Sequence, residues 1–205
     1  GINNRHRQTV KTIKLVYLVS TLGRTGPTQQ LYNLIKYLNR DQFQPVLITL
    51  SPNPGDNLES AFSRLGLDIH SLTLTRLGGI VTGKSRLSNL LEKFQPDILH
   101  SQGLRADWFS SMLPKRHIRV ATQRNNPLND YLDLYGWLKG SIVAQMHLHA
   151  LSRLPFVVAC SRAIVDTNSR RNLTTKVIRN GVDLSAINSL PTINEKQAQR
   201  RHLNL

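Results

Sequence analysis

Short apolar runs rich in β-branched residues alternate along the chain with segments whose apolar positions recur at helical spacing. Residues 14–20 (KLVYLVS) predict a strand, and residues 27–38 a helix with Leu31, Leu34, Ile35 and Leu38 on one face. Pro27 suits the first helical turn, where its missing N–H costs nothing. The alternation continues through strand 45–50, helix 58–65, strand 68–74, helix 85–94, strand 97–100 and helix 105–113. In the second half, 118–123 predicts a strand, 135–153 one long helix, 156–160 a strand, 162–171 a helix and 175–179 the last strand. A final helix is expected over 194–203. Seven strands separated by helices predict an α/β fold: a Rossmann-like, doubly wound parallel sheet with helices on both faces.

Composition narrows the partners. At 40% hydrophobic and 19% charged, the 205 residues are globular, with enough chain for a real core. A single Cys excludes a disulfide framework and any multi-Cys zinc site, and points to a reducing, cytoplasmic setting. The balance of 27 Lys and Arg against 12 Asp and Glu gives +15 and favours anionic partners: phosphate-bearing ligands, acidic lipid or nucleic acid. The most apolar long region, 134–159, is interrupted by Lys139, His147, His149 and Arg153. A bilayer span needs about 20 predominantly apolar residues, so a buried or interfacial helix is expected there. Residues 1–12 form a basic extension without the apolar stretch of a secretory signal.

The charge is uneven: residues 98–182 hold 12 Lys or Arg against four Asp or Glu. Its densest cluster, Lys115, Arg116 and Arg119, lies near Trp108 and Phe109 and is followed by Tyr131, Tyr135 and Trp137. Basic residues interleaved with exposed aromatics suit an anionic leaflet, here the inner face of a cell membrane. The alternative is that Trp137 and Leu138 fill the core while the basic residues only solvate the surface.

Candidate chemistry sits at strand ends, the functional edge of such a sheet. The first βα turn, Gly23-Arg24-Thr25-Gly26-Pro27-Thr28, is a tight turn or a phosphate approach to a helix N-terminus. Its G-x-x-G spacing is neither the dinucleotide fingerprint nor a Walker A loop. His100, followed by Gln102, ends the fourth strand; Arg124, Asn125 and Asn126 follow the fifth; Asn180, Gly181 and Asp183 follow the seventh. Arg124 can grip a phosphate or carboxylate bidentately.

Together these pieces resemble the N-terminal half of a family 4 glycosyltransferase of the two-domain GT-B fold, over residues 14–203. The markers are the strand and turn at 23–28, the helix with Leu31-Tyr32-Asn33-Leu34, and the strand ends Pro96-Asp97-Ile98-Leu99-His100 and Cys160-Ser161. The most specific is Val177–Asp183, whose Asn-Gly-Val-Asp turn closes the first domain in that family. Many relatives carry paired glycines and an acid in the first turn, His-x-His where Gln102 stands here, and a His near the position of Arg124. The resemblance implies a domain at 13–187 and, at 188–205, a linker toward an absent second domain, hence an excised domain or truncated product.

It also implies roles. Gly23, Gly26 and Thr28 would form the donor-diphosphate loop, and His100 and Arg124 would be the catalytic pair. Gln102, Asn125, Asn126 and Asp130 would bind the acceptor, and Asn180, Gly181 and Asp183 would line the interdomain cleft. The donor would be a nucleotide-sugar and the acceptor a glycan or glycolipid, with retention of configuration and no metal or other cofactor. Bacterial envelope polysaccharide or lipopolysaccharide would be the context, and this half alone would be inactive. Two other classes share some features. A nicotinamide-dependent oxidoreductase would need the missing fingerprint and an acid after the second strand. A basic binding module for nucleic acid or an anionic surface fits +15, but helix-turn-helix, RNP and zinc-finger signatures are missing, so no specific nucleic acid partner is expected.

Overall fold

A computed structural model describes residues 11–75, 78–186 and 192–203. Most of the basic extension expected at 1–12 falls outside the described residues, as do 188–191 and 204–205 of the linker, whose remainder holds the last helix. The elements are β1 (Ile13–Val19), α1 (Gly26–Lys36), β2 (Phe43–Thr49), α2 (Glu59–Arg64), β3 (Asp68–Ser71), α3 (Gly78–Phe94), β4 (Ile98–Gln102) and α4 (Leu104–Ser111). They continue with β5 (Ile118–Gln123), α5 (Pro127–Tyr135), α6 (Trp137–Ser152), β6 (Phe156–Ala159), α7 (Arg162–Ser169), β7 (Lys176–Val177) and α8 (Ile193–His202). The seven strands pair in parallel in the order β3-β2-β1-β4-β5-β6-β7.

The sequence of β1 explains its central place. Side chains alternate across a strand, so a strand covered on both faces must be apolar at every position. Val16 and Leu18 pack on one side with Ile48, Leu99, Leu87 and Leu91, beneath α3 and α4. Leu15, Tyr17 and Val19 pack on the other with Leu31, Ile35 and Phe62, beneath α1 and α2. A third cluster, Ala121, Leu151, Leu154, Val157 and Leu173, seats α6 against β5 and β6.

Three elements differ from expectation. The helix read over 135–153 is α6, and a helix that the pattern did not show, α5, precedes it across Gly136, whose φ of +76° ends the one and starts the other. Asn126-Pro127, which reads as a turn, opens α5: the Asn126 side chain accepts from Leu128 N and Pro127 occupies the first turn. Helix α3 begins at Gly78 rather than 85, its glycine-rich start masking the helical pattern. Strand β7 is only two residues long, because after Ile178 N bonds to Ala159 O the chain bends away toward α1.

Candidate functional site

β1 lies between β2 and β4, so the chain winds outward in both directions from this point and leaves a crevice beyond the strand ends. Two cavities open there. The first, about 370 Å³, is lined by the β1–α1 turn (Thr21, Thr25, Thr28), the β4 end (Gln102, Gly103), the β5 end (Gln123, Arg124, Asn125), and Tyr131 and His147 from α5 and α6. The second, about 480 Å³, lies between α1 and the segment Ile178–Asp183, with His100, Val120 and Thr122 among its lining residues. They meet at Thr122 and Arg124.

The N-terminus of α1 faces the first cavity. Thr25 caps it, its hydroxyl accepting from Thr28 N and lying 2.9 Å from Thr28 Oγ1. No acidic residue occupies the first turn, so the positive end of the helix is unopposed. Arg124 joins three strand ends: its Nε donates to Gln102 Oε1 at 3.2 Å and its Nη1 to Asn180 Oδ1. Burial lowers its pKa, but a guanidinium stays charged at neutral pH. Gln102 is buried, and its Nε2 has no partner among the described residues.

His100 is half-buried, with Nε2 2.7 Å from Thr122 Oγ1 and its ring 5.2 Å from that of Tyr17. Burial pulls its pKa down to about 4, and the nearby Arg124 charge adds to the shift. The ring is therefore neutral at pH 7 and a weak base, suited to hydrogen bonding rather than to taking a proton. Asp183 receives Lys36 Nζ at 2.6 Å, Tyr37 Oη at 2.7 Å and Ser185 Oγ at 2.6 Å. Those donors hold its carboxyl well below the usual carboxylate range.

The structure therefore brings Thr28, Gln102, Arg124 and Asn125 to the first cavity, and His100, Arg124, Asn180, Gly181 and Asp183 to the second. Gly26 opens α1 with free space around it. Gly23 instead bridges Asn57, where an added Cβ would lie 3.1 Å from Pro54 Cγ, outside both linings. Asn126 and Asp130 serve the α5 cap, Asp130 Oδ2 accepting from Asn126 N.

The basic cluster divides. Lys115 and Arg116 are exposed, Arg116 pairing with Glu92 at 2.9 Å. Arg119 is a correction: only 3% exposed, it cannot face a membrane. Its Nη1 donates to Ser110 O and Leu113 O, satisfying carbonyls around the end of α4. Trp137 and Leu138 are 79% and 65% exposed, so neither fills the core. Among the described residues no helix is long and apolar enough to cross a membrane, and no three His, Cys, Asp or Glu are grouped to hold a metal ion.

Sequence reasoning missed two residues that line the first cavity, Tyr131 and His147, and two buried behind them. Ser101, Asp107, His147 and Tyr131 form one hydrogen-bonded chain. The available signal was a histidine amid an apolar helix, which reads as an interruption until its partners are placed beside it.

The Glycosyltransferase Family 4 profile matches residues 24–186. The chain belongs to that family. Among solved structures, it resembles sucrose-phosphate synthase from Thermosynechococcus elongatus (14% identity, TM-score 0.64, covering 94% of this chain and 53% of that one). It is similar to Anabaena Alr3699/HepE in complex with UDP (17%, 0.64, 94% and 50%) and to UDP-GlcNAc 2-epimerase from Neisseria meningitidis bound to UDP-GlcNAc (12%, 0.59, 94% and 54%). The chain thus spans about half the length of each. A search of curated protein sequences finds no match. The glycosyltransferase neighbours agree with one Rossmann-like half of a GT-B fold.

Proposed function

We propose that this family 4 domain is the acceptor-binding half of a nucleotide-sugar-dependent, retaining glycosyltransferase. The observation that carries the reading is the junction of the two cavities at Arg124, beside the unopposed N-terminus of α1. Developing negative charge on a leaving diphosphate is stabilised by helix N–H groups and by a guanidinium already fixed in place. The smaller cavity offers amides and hydroxyls from Gln102, Asn125 and Tyr131, the groups that bind sugar hydroxyls. That relatives were solved with UDP and UDP-GlcNAc favours a uridine nucleotide.

The finer expectations complete the proposal. The donor is held against a second domain, with no metal required. The acceptor is a growing envelope glycan or glycolipid at the inner membrane face. Leu134, Trp137, Leu138 and Ile142, all exposed around Lys139, supply the apolar contact with that surface.

Thermal-shift titration of the 205-residue chain with UDP, UDP-glucose, NAD and a short oligonucleotide tests the reading. UDP and UDP-glucose are expected to raise the melting temperature saturably, and the other two are not. A shift with the oligonucleotide alone would replace the reading with a basic binding module. Sugar transfer at ordinary enzymatic rates by this chain alone would overturn the need for a second domain.

A further inference from the structure

Arg124 is held in place by partners that leave its charge intact. Its Nε donates to Gln102 Oε1 at 3.2 Å and its Nη1 to Asn180 Oδ1, one oxygen from the end of β4 and one from the strip after β7. Both partners are neutral amides. Of the residues lining the two cavities that meet at Arg124, only Asp183 is acidic, and its carboxylate is taken by Lys36, Tyr37 and Ser185. Among the described residues no carboxylate lies within ion-pair distance of Arg124.

Stability alone does not account for amides at these two places. The guanidinium is half-buried, and a charge withdrawn from water without a counter-charge is costly. A carboxylate would accept the same hydrogen bond and make it shorter and about twice as strong. The amide nitrogens would not be missed. Gln102 Nε2 is buried without a partner among the described residues, and the bond that Asn180 makes through its side chain is to its oxygen. Glu at 102 or Asp at 180 would therefore hold Arg124 more firmly, but would cancel its charge. The amides keep a cation that is both fixed and uncompensated.

The strip after β7 is part of this arrangement. Among the described residues its last backbone bond to the sheet is Ile178 N to Ala159 O. Beyond that point Asn180 ties it to Arg124, and Asp183 ties it to α1.

We infer that Gln102 and Asn180 are positioning residues that hold Arg124 at the cavity junction through neutral oxygens, reserving its full charge for the donor's diphosphate. The inference rests on the glycosyl-transfer reading above. Arg124 is the group that touches the ligand; Gln102 and Asn180 act through it. A guanidinium fixed beforehand needs no reorganisation as negative charge grows on the departing diphosphate.

Calorimetric titration and thermal melts of the 205-residue chain test this, with UDP and inorganic pyrophosphate as probes at low and at physiological salt. Asn180→Asp should melt at or above the wild-type temperature yet bind both probes about tenfold more weakly. Its affinity should also depend less steeply on salt, because one attracting charge has been cancelled. Gln102→Glu should behave in the same way. Position 102 is buried, so if that variant does not fold, Asn180→Asp at its exposed position decides. Asn180→Ala keeps the charge but frees the fork, and should bind both probes about threefold more weakly with the wild-type salt dependence. Wild-type affinity in Asn180→Ala would overturn the positioning role. A purely structural role predicts an Asn180→Asp protein that is steadier and unchanged in affinity and salt dependence. That result overturns the inference, while UDP binding by the wild type leaves the glycosyltransferase reading standing. Weaker UDP binding with unchanged pyrophosphate binding also overturns it, since the charge then acts away from the diphosphate. If the wild type binds neither probe, both fall.

Discussion

Lys36 Nζ lies 2.6 Å from Asp183 Oδ2, joining α1 to a segment 147 residues further along the chain. Tyr37 Oη donates to the same carboxylate, so the strip after β7 is clasped to α1 and walls the larger cavity. The clasp sets a pH dependence. The Asp183 pKa is depressed by Lys36, Ser185 and Tyr37, so its contribution exists above the ordinary value of 3.8 and is lost as pH falls through the lower folded value. The Lys36 pKa is raised, chiefly by Asp183, so its contribution is complete below 10.5 and is lost as pH rises through the higher folded value. Melting curves of wild type and Asp183→Asn should differ by a constant amount through the neutral range and converge at both extremes.

His100 gives an acid-side signature of its own. Its folded pKa of about 4 lies below the ordinary 6.5, so the unfolded chain takes up the proton first as pH falls. Stability should be fully present above pH 6.5 and decline between there and pH 4, by at most about 3 kcal/mol. His100→Gln should flatten that limb in urea melts collected across the range. An unchanged slope would mean that the ring titrates normally.

Gly26→Asp separates helix stability from anion binding. The position has free space around it and opens a helix whose first turn lacks acidic residues. A carboxylate there should stabilise the chain by about 0.5 kcal/mol through the helix dipole. It should also repel a diphosphate by about 1 kcal/mol, roughly fivefold in UDP affinity, as isothermal titration would read. A variant that is steadier yet binds UDP less well is the expected result.

The basic cluster should split in the same manner under mutation. Lys115→Gln with Arg116→Gln touches exposed charges and should change stability by less than about 0.5 kcal/mol. Binding to acidic vesicles should fall by about 1 kcal/mol for each charge that lies near the surface. Arg119→Gln removes a buried cation from two carbonyls and should cost about 2 kcal/mol in denaturant melts. Replacing Trp137 and Leu138 by Ser should weaken vesicle binding while leaving the fold intact, since both side chains are exposed.

The architecture was legible because burial on two faces writes itself into strands as continuous apolar runs, as in Leu15–Val19 of β1, Pro45–Ile48 of β2 and Phe156–Ala159 of β6. What escaped depended on backbone conformation or on distant partners. Helix α5 escaped because its Asn126-Pro127 start reads as a turn, and the positive φ of Gly136 that ends it is not revealed by composition. Arg119 has the identity of a surface residue, yet the carbonyls it serves belong to the preceding helix and its neighbouring loop. Arg124, Gln102 and Asn180 were legible as strand-end residues, and the fold adds that they touch. Tyr131, His147 and Asp107 were not, because α4, α5 and α6 must pack before a tyrosine, an imidazole and a carboxylate become one line.

The central position of β1 has a consequence for synthesis. Its hydrogen bonds to β2 can form once residues 43–49 are made, but its other edge waits for Ile98–Gln102. At roughly 5–20 residues per second, the gap between emergence of β1 and of β4 lasts on the order of ten seconds. During that interval a strand apolar on both faces shows an open edge, the arrangement most prone to pairing with a neighbouring nascent chain. Translation speed between residues 50 and 97, and whatever shelters the ribosome exit there, therefore govern how much of this protein reaches its native sheet.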